Sequence, residues 1–485
     1  MQQLSGLDAA FLALDTSHTT GHVGGVHLLD GRPEAGEPKL TLERLTALVG
    51  ARLHLVPVLR RRVVQVPFGL GQPFWVEDPD FDLEFHIREL ALPRPGSMQQ
   101  LTAQVARIHA RPLDHSRPLW ELYLLHGLKG GRLALYGKLH HAMIDGVAGQ
   151  EVTAALMDPS PRGRRLPPAA QWVPDELPGG AQLLARTVLS LGAQPRRAAR
   201  LGADLVRSAP GVLGLVAASL PGRRVRLRSE DGALLSGRGL LAPATPFNRA
   251  VGPHRRVALR TVPFDAVHAV KAASGLTVND VVLAMCAGAL RRWLELHAAL
   301  PAEPLVAAVP VSVRDPQAPG DGDVPGNKVS LMLAGLPTHL GDPLDRLQAV
   351  HEATLRAKLQ HDALPADLLA DVYAFTMPAL VGLATRANAR LRLLERVKLF
   401  NLFISNVPGP QVPLYVGGHV LLASYPVSAI TDGQGLNITV VSYAGGLHLG
   451  LISDRELISD LDVLADYLAE ELELLARATG ASVEE

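Results

Sequence analysis

The sequence predicts an α/β protein built in two halves. In residues 1–160 and again in 255–485, short segments with strand-like patterns alternate with longer segments of helical spacing. The 485 residues exceed the usual length of a single domain, and a hydrophobic fraction of 47% is ample for a core. Residues 161–254 differ from both halves because prolines interrupt them and arginines are frequent. We therefore expect an N-terminal domain at 1–160, a crossover segment with amphipathic helices at 161–254 and a C-terminal domain at 255–485.

Caps and turns set the elements of the first half. Thr41 lies near the start of one helical pattern, and Ser97 is a residue type that caps a helix N-terminus. The turn residues 129–131 separate two apolar segments that we interpret as paired strands. The predicted elements, in order, are a strand at 24–29, helices at 40–53 and 98–110, and strands at 120–125 and 133–141.

The second half begins with a strand and ends with an amphipathic helix. Thr277 and Asp280 form a capping-box pattern before a long apolar segment, and residues 444–446 are a turn between two apolar segments, typical of a hairpin. The predicted elements are a strand at 256–262, a helix at 278–296, strands at 305–313 and 399–405, a hairpin of 436–443 with 447–453, and a closing helix at 460–478. That helix carries one leucine stripe, which consists of Leu461, Leu464, Leu468, Leu472 and Leu475.

The middle segment is strongly basic. Between residues 186 and 228 the only acid is Asp204, and the arginines are at 186, 196, 197, 200, 207, 223, 224, 226 and 228. One interpretation is a basic amphipathic surface that contacts anionic lipid head groups. The other is a solvated crossover helix between the two domains. The sequence does not decide between them.

Composition excludes several classes of protein. Acidic and basic residues balance at 47 each, so the net charge gives no reason to expect a nucleic-acid partner. The single Cys286 excludes an intramolecular disulfide and fits a reducing compartment, where it is expected to be a small buried apolar residue. We expect no signal peptide, and no stretch reaches the roughly 20 apolar residues of a membrane span.

A histidine pair at the end of a predicted strand is the strongest chemical signal. Residues 140–146 are His-His-Ala-Met-Ile-Asp-Gly, and they follow an alternating stretch in which Leu133, Leu135 and Leu139 share one face. His141 continues that apolar row, whereas His140 continues the polar row, so His141 is predicted to point inward. An imidazole there can take a proton and return it within one reaction cycle.

Two other interpretations of this pair remain open. A histidine in a core is often hydrogen-bonded to a backbone carbonyl and has no chemical role. His141 and Asp145 could hold a metal only if they shared a helix face and found a third ligand, and we expect no metal. No serine or cysteine occupies a Gly-x-Ser-x-Gly turn, which disfavours a covalent acyl-enzyme.

Several further motifs occur in a fixed order with the histidine pair. They are Leu4 to Phe11, His22 to Gly25, Pro118 to Glu121, Thr277 to Asp280, Pro310 to Arg314 and Ser405 to Pro410. With His-His-x-x-x-Asp-Gly, this set resembles the bacterial wax ester synthase/acyl-CoA:diacylglycerol acyltransferase family of the chloramphenicol acetyltransferase-like superfamily. The resemblance covers nearly the whole chain, from Leu4 to the last helix.

The resemblance implies an architecture and residue roles. It implies two chloramphenicol acetyltransferase-like α/β sandwich domains with a cleft or tunnel between them. His141 would be the general base, supported by His140 and Gly146, and Asp145 would position the loop by pairing with Arg314. The oxyanion and supporting candidates are Asn279, Asp280, Ser405, Asn406 and Arg314. Pro118, Leu119 and Trp120 are the candidates for lining the acyl channel, although a tryptophan at a strand start usually packs under a neighbouring sheet.

The expected reaction is direct transfer of a long-chain acyl group from acyl-CoA to diacylglycerol, to a long-chain alcohol, or to both, without a cofactor. Such an enzyme would be cytoplasmic and would associate peripherally with the inner membrane or with lipid inclusions. Two alternatives remain. One is a related acyltransferase or condensation enzyme that uses carrier-protein thioesters, and the other is a non-catalytic protein that coats lipid droplets.

Overall fold

The structure is a computed structural model that describes residues 1–13, 15–69, 71–143, 146–169, 172–174, 176–192, 225–228, 234–237, 242–312, 329–362 and 398–481. The strands are β1 Gln2–Gln3, β2 His22–Leu29, β3 Arg61–Val64, β4 Phe74–Glu77, β5 Ile87–Ala91, β6 Trp120–His126, β7 Leu133–His140, β8 Val225–Arg228, β9 Leu234–Gly237, β10 Arg255–Pro263, β11 Leu305–Ser312, β12 Val329–Leu336, β13 Leu402–Val407, β14 Tyr415–Val416, β15 His419–Val427, β16 Leu436–Tyr443 and β17 Gly446–Asp454.

The helices are α1 Gly6–Ala13, α2 Leu42–Gly50, α3 Leu83–His86, α4 Met98–His109, α5 Gly146–Leu156, α6 Gly180–Gly192, α7 Phe264–Ser274, α8 Val278–Leu296, α9 Pro343–Asp362 and α10 Leu461–Thr479. Short 3₁₀ turns lie at Leu53–Leu55, Pro57–Arg60, Pro67–Gly69 and Lys129–Gly131.

The first large sheet has six strands in the order β14-β15-β2-β7-β6-β5. β7 pairs antiparallel with β2 on one side and β6 on the other, and His140 lies opposite His22. β14 and β15 come from the C-terminal part of the chain, and β15 pairs antiparallel with β2. The sheet is therefore completed by strands nearly 400 residues away from its first strand. The domain boundaries expected from the sequence stay a prediction.

The second large sheet has the order β10-β17-β16-β13-β11-β12. Its central strand β13 is parallel to both neighbours, β11 and β16, while the other pairs are antiparallel. Helices α7 to α10 supply the apolar side chains that pack against it in one large core cluster. The leucine stripe of α10 is buried there, which confirms that prediction. Burial of these stripes is what holds the helices on the sheet.

The two sheets meet through a shared core. It contains Val26 and Tyr136 of the first sheet, Val257 and Ile452 of the second, and apolar side chains of α4. The contact is close at Gly450, where a β-carbon would lie 1.7 Å from the carbonyl oxygen of Pro426. Only glycine fits this position, because β17 and β15 cross there.

Local signals in the sequence placed several elements correctly. Ser97 accepts a hydrogen bond from the Gln100 amide and forms a full capping box, and Thr41 caps α2. The predicted hairpin is present as β16 and β17. The strand predicted at 399–405 lies at Leu402–Val407, and the strand predicted to include His141 ends at His140. α7, α9 and β15 were not predicted.

The arginine-rich segment is only partly described. Arg186 lies on α6, and Arg226 and Arg228 belong to β8, which pairs with β9. The other six arginines lie outside the described residues. Within the part of the chain that the structure covers, no single helix is long and apolar enough to cross a bilayer. α7 and α8 together meet the length and composition criteria, but the chain bends by 104° between them.

Candidate active site

The histidine pair lies where β7 ends between its two neighbours. The His140 amide donates to the Leu119 carbonyl oxygen at 3.0 Å on the β6 side. The next amide, that of His141, donates to the Gly21 carbonyl oxygen at 2.7 Å on the β2 side. The chain then turns, and the Met143 amide donates to the His140 carbonyl oxygen at 2.9 Å. The backbone of the pair is therefore fixed from both sides.

His140 is completely buried and both of its ring nitrogens are engaged. The Ala142 amide donates to Nδ1 at 3.1 Å, so Nδ1 is an acceptor and the ring proton is on Nε2. Nε2 donates to Asp15 Oδ2 at 3.1 Å. His140 thus links the turn that carries His141 to an acid in the N-terminal segment. His140 is a buried core histidine, but its ring bonds to a carboxylate and a backbone N–H rather than to the backbone carbonyl of the core interpretation.

Asp15 is held as a carboxylate at this point. Its Oδ1 accepts the Gly21 amide at 2.7 Å, and its Oδ2 also lies 3.3 Å from His115 Nε2. Burial alone would raise the pKa of Asp15, but the hydrogen bonds with His115 and His140 and the Gly21 amide together hold that pKa well below its usual range. The acceptor for the His140 proton is therefore charged at neutral pH.

His141 has a different environment. Its ring stacks on Phe11 of α1, with ring centroids 4.2 Å apart and planes 22° from parallel, and the residue is half-buried. Phe11, Leu139, Ala142 and Met143 belong to the apolar cluster that also contains Leu133 and Leu135. His141 therefore lies beside the apolar row that the alternation indicated, at the first position after the strand.

The polar row of β7 is not turned to solvent. Tyr136, Lys138 and His140 are all 0% exposed, because α4 and the second sheet cover this face. Lys138 Nζ donates to the carbonyl oxygens of Ile108 and Arg111 and pairs with Glu121 Oε2 at 3.0 Å. The alternation separated the two rows correctly, but it did not indicate that both are buried.

His22 completes the buried polar group beside His140. Its Nδ1 lies 3.1 Å from the His109 carbonyl oxygen, and its ring meets that of His140 edge to face at 6.1 Å. Burial, with the positive charge of Lys138 nearby, lowers the pKa of His22 to about 3. His22 is therefore neutral at physiological pH.

The predicted partners of His141 after the turn are only partly described. Gly146 is the first residue of α5. Asp145 and Arg314 lie outside the described residues, and the pair predicted between them stays a prediction.

The three residues proposed for the acyl channel are buried. Trp120 Nε1 donates to the Leu59 carbonyl oxygen at 2.7 Å, and its ring stacks on His86 at 4.4 Å. Pro118 and Leu119 are buried beside it. This environment fits the packing alternative for Trp120.

The capping box at the start of α8 is present as predicted. Thr277 Oγ1 accepts from the Asp280 amide, and Asp280 Oδ2 accepts from the Thr277 amide. Asp280 Oδ2 also lies 3.0 Å from His351 Nδ1 of α9. Burial would raise the pKa of Asp280, but the bonds with His351 and Thr277 lower it overall. Asn279 is half-buried in the same first turn.

Ser405 and Asn406 lie on the central strand of the second sheet. They are half-buried and paired in register with Thr439 and Val440 of β16. The strand ends one residue later at Val407, before the proline-rich turn that the sequence predicted.

Of the predicted site residues, the structure brings His140 and His141 together with residues that were not predicted as site residues, namely Phe11, Asp15 and Gly21. No local signal marks Asp15, because its role depends on a contact across 125 residues.

Comparison with known proteins decides the family. The wax ester synthase/diacylglycerol acyltransferase catalytic domain matches residues 4–282, and the C-terminal domain of the same family matches residues 325–476. The chain belongs to the wax ester synthase/diacylglycerol acyltransferase family. It is therefore an O-acyltransferase, as the sequence predicted. This result disfavours the alternative of a non-catalytic protein that coats lipid droplets.

Relatives match over their full length. A putative diacylglycerol O-acyltransferase of Mycobacterium tuberculosis is 37% identical over 486 residues, which cover 98% of this chain and 100% of the relative. The wax ester synthase/diacylglycerol acyltransferase of Marinobacter aquaeolei is a solved structure that matches with a TM-score of 0.68 and 30% identity, over 99% of this chain and 100% of the other.

More distant structures share the fold alone. The first condensation domain of the calcium-dependent antibiotic synthetase matches with a TM-score of 0.55 and 18% identity, over 100% of this chain and 98% of that domain. The trichothecene 15-O-acetyltransferase of Fusarium sporotrichioides matches with a TM-score of 0.60 and 12% identity, over 98% and 95%. With the match to the Marinobacter enzyme, these likenesses confirm the predicted α/β fold class.

Proposed function

We propose that this enzyme transfers a long-chain acyl group from acyl-CoA to the free hydroxyl of diacylglycerol, or of a long-chain alcohol, with His141 as general base. The observation that carries the proposal is the division of the histidine pair. His140 is sealed in the core and engaged at both nitrogens, whereas His141 is half-buried at the strand end. This difference supports His141, rather than His140, as the ring that meets a substrate.

The reaction proceeds in one ternary complex. His141 takes the hydroxyl proton as the alcohol oxygen attacks the thioester carbonyl carbon. The carbon–sulfur bond breaks, the ester remains, and the CoA thiolate receives the proton from His141. The chemistry needs no cofactor, because acyl-CoA is a substrate. Donors near the developing oxyanion would supply a further part of the rate, and Asn279, Ser405 and Asn406 remain the candidates.

The test is a CoA-release assay with palmitoyl-CoA and either dipalmitoylglycerol or hexadecanol, followed by chromatography of the product. A general base typically contributes about 10²–10⁴ in rate, so His141→Gln should lower kcat by that factor and keep the circular dichroism spectrum. His268→Gln, at an exposed position of α7, is the matched control and should keep full activity. Full activity of His141→Gln would refute the role of His141. Turnover only with a carrier-protein thioester would instead favour the condensation-type alternative.

We also propose that the enzyme acts at a membrane or lipid-inclusion surface on the cytoplasmic side. Its substrates partition into lipid, and the excess of arginine over acid between residues 186 and 228 favours anionic head groups. Vesicles of phosphatidylglycerol should carry the protein upward in a flotation gradient more than vesicles of phosphatidylcholine. Arg223→Gln with Arg224→Gln should weaken this, whereas Arg356→Gln with Arg455→Gln, at exposed positions elsewhere, should not. Equal flotation of both pairs would contradict the proposal.

A further inference from the structure

Residues 11–21, from Phe11 on α1 to Gly21 just before β2, contact the histidine pair at three separate points. The Phe11 ring stacks on His141, Asp15 binds His140 Nε2, and the Gly21 carbonyl oxygen accepts the His141 amide. Asp15 also accepts the Gly21 amide, so the second and third contacts are linked. One short segment therefore touches both rings and the backbone between them.

Asp15 decides which nitrogen of His140 carries the proton. A carboxylate only accepts, so Nε2 must be the protonated nitrogen and Nδ1 is left to accept the Ala142 amide. If the proton moved to Nδ1, it would face the Ala142 N–H, and the turn after His141 would lose its anchor. The tautomer of the buried His140 thus controls the geometry of the turn that carries the half-buried His141.

We propose that Asp15 is a positioning residue of the acyl transfer: through His140 it fixes the turn that holds the His141 ring against Phe11. This rests on the proposed role of His141. Asp15 lies too far along this chain of contacts to exchange protons with substrate itself. In other enzymes a carboxylate orients a functional histidine directly. Asp15 instead orients the neighbouring residue, His140, and not the base itself.

Asp15→Asn tests this with almost no change in shape. The NH₂ group of the new asparagine side chain must face either the Gly21 N–H or the His140 Nε2–H. Either orientation brings two hydrogen-bond donors face to face with no acceptor between them. We expect kcat to fall about 10–100-fold, as for other orienting partners, with the KM for palmitoyl-CoA changed less than about threefold. Asp265→Asn, at an exposed position in the first turn of α7, is the matched control, because it makes the same change at a residue outside the contacts of the histidine pair. It should keep kcat within about twofold of wild type.

A double-mutant comparison separates positioning from a general loss of structure. If Asp15 acts only through His140, Asp15→Asn should lower kcat strongly in the wild-type background and little further in His140→Gln. Multiplicative losses, a wild-type kcat for folded Asp15→Asn, or a loss confined to KM would each overturn the proposal. Absence of CoA release from the wild-type enzyme would instead refute the proposed function itself.

Phe11 gives a second test if Asp15→Asn does not fold. Phe11→Leu keeps an apolar side chain but removes the ring that stacks on His141. Because the free energy of an aromatic stack corresponds to about 2–10-fold in rate, kcat should fall by that factor. Phe11→Tyr keeps the stack and should restore kcat. Equal activity of Phe11→Leu and wild type would show that the segment does not position the base, and would overturn the proposal.

Discussion

Lys138 is the most deeply buried cation of the first sheet, and its removal gives a sharp test of how β7 is held. The side chain is 0% exposed, and its three donors meet Glu121 and the carbonyl oxygens of Ile108 and Arg111. Burial lowers the pKa of Lys138, although Glu121 opposes the effect. Lys138→Met keeps most of the volume and removes the charge and every hydrogen bond.

The expected loss follows from what is left behind. Breaking a buried ion pair by removing one partner typically costs about 3–5 kcal/mol. Glu121 retains Arg88 at 2.8 Å and the Tyr123 hydroxyl at 2.9 Å, so its charge stays partly compensated. We therefore expect Lys138→Met to lower the free energy of unfolding by about 3 kcal/mol, near the smaller limit. Lys271→Met, on the exposed side of α7, is the control and should stay within about 0.5 kcal/mol.

The assay is urea unfolding followed by circular dichroism and by tryptophan fluorescence, because coincident transitions justify a two-state free energy. The double variant Lys138→Met with Glu121→Leu removes both charges, so it should be less destabilised than Lys138→Met alone. A loss below about 1 kcal/mol in the single variant, or a larger loss in the double, would refute this account of the pair.

Three further outcomes are expected. The pKa of His22 is about 3 in the fold and near 6.5 in the unfolded chain, so between these values only the unfolded chain gains a proton at His22. The free energy of unfolding therefore falls as the pH is lowered below about 6.5. His22→Gln should reduce that slope by up to about 1.4 kcal/mol per pH unit, measured by urea titrations at several pH values. Trp120→Phe leaves the Leu59 carbonyl oxygen without its donor and should lower the free energy of unfolding by about 1–3 kcal/mol. The rate of CoA release per folded enzyme should stay unchanged. A raised KM for acyl-CoA would instead favour the interpretation of Trp120 as a channel residue. Thr277→Ala removes the cap that meets Asp280 and should cost about 1 kcal/mol in the same unfolding assay, and no loss would mean that water replaces the cap.

Local patterns predicted what local physics decides. The caps at Ser97 and Thr277, the hairpin and the leucine stripe of α10 each depend on residues a few positions apart, and each is present. The pairing of β15 with β2 could not be predicted in this way. It brings together residues as distant as His27 and Ser424, and nothing in either strand marks the other as its partner.

The site shows the same limit at closer range. Alternation along β7 separated its apolar row from the row that ends at His140, because successive side chains of a strand point to opposite faces. It did not reach His141, which lies one residue beyond the strand. It could not indicate that the polar face is buried, since that depends on α4 and on the second sheet, which cover it. It also could not find Asp15, whose carboxylate meets His140 only after the chain has folded.

The position of the pair at a strand end explains why two adjacent histidines have different surroundings. Within β7 the pleat of the strand fixes the direction in which each side chain points. This still holds for His140, the last residue of the strand. His141 is the first residue beyond the strand, where the chain turns, so its ring direction depends on other contacts. The Gly21 carbonyl oxygen, the His140 ring and Phe11 supply them. A histidine one residue earlier, at the position of His140, is sealed in the core. The two members of the pair therefore differ in how they are held, His140 by the strand and its buried partners and His141 by the contacts just beyond it.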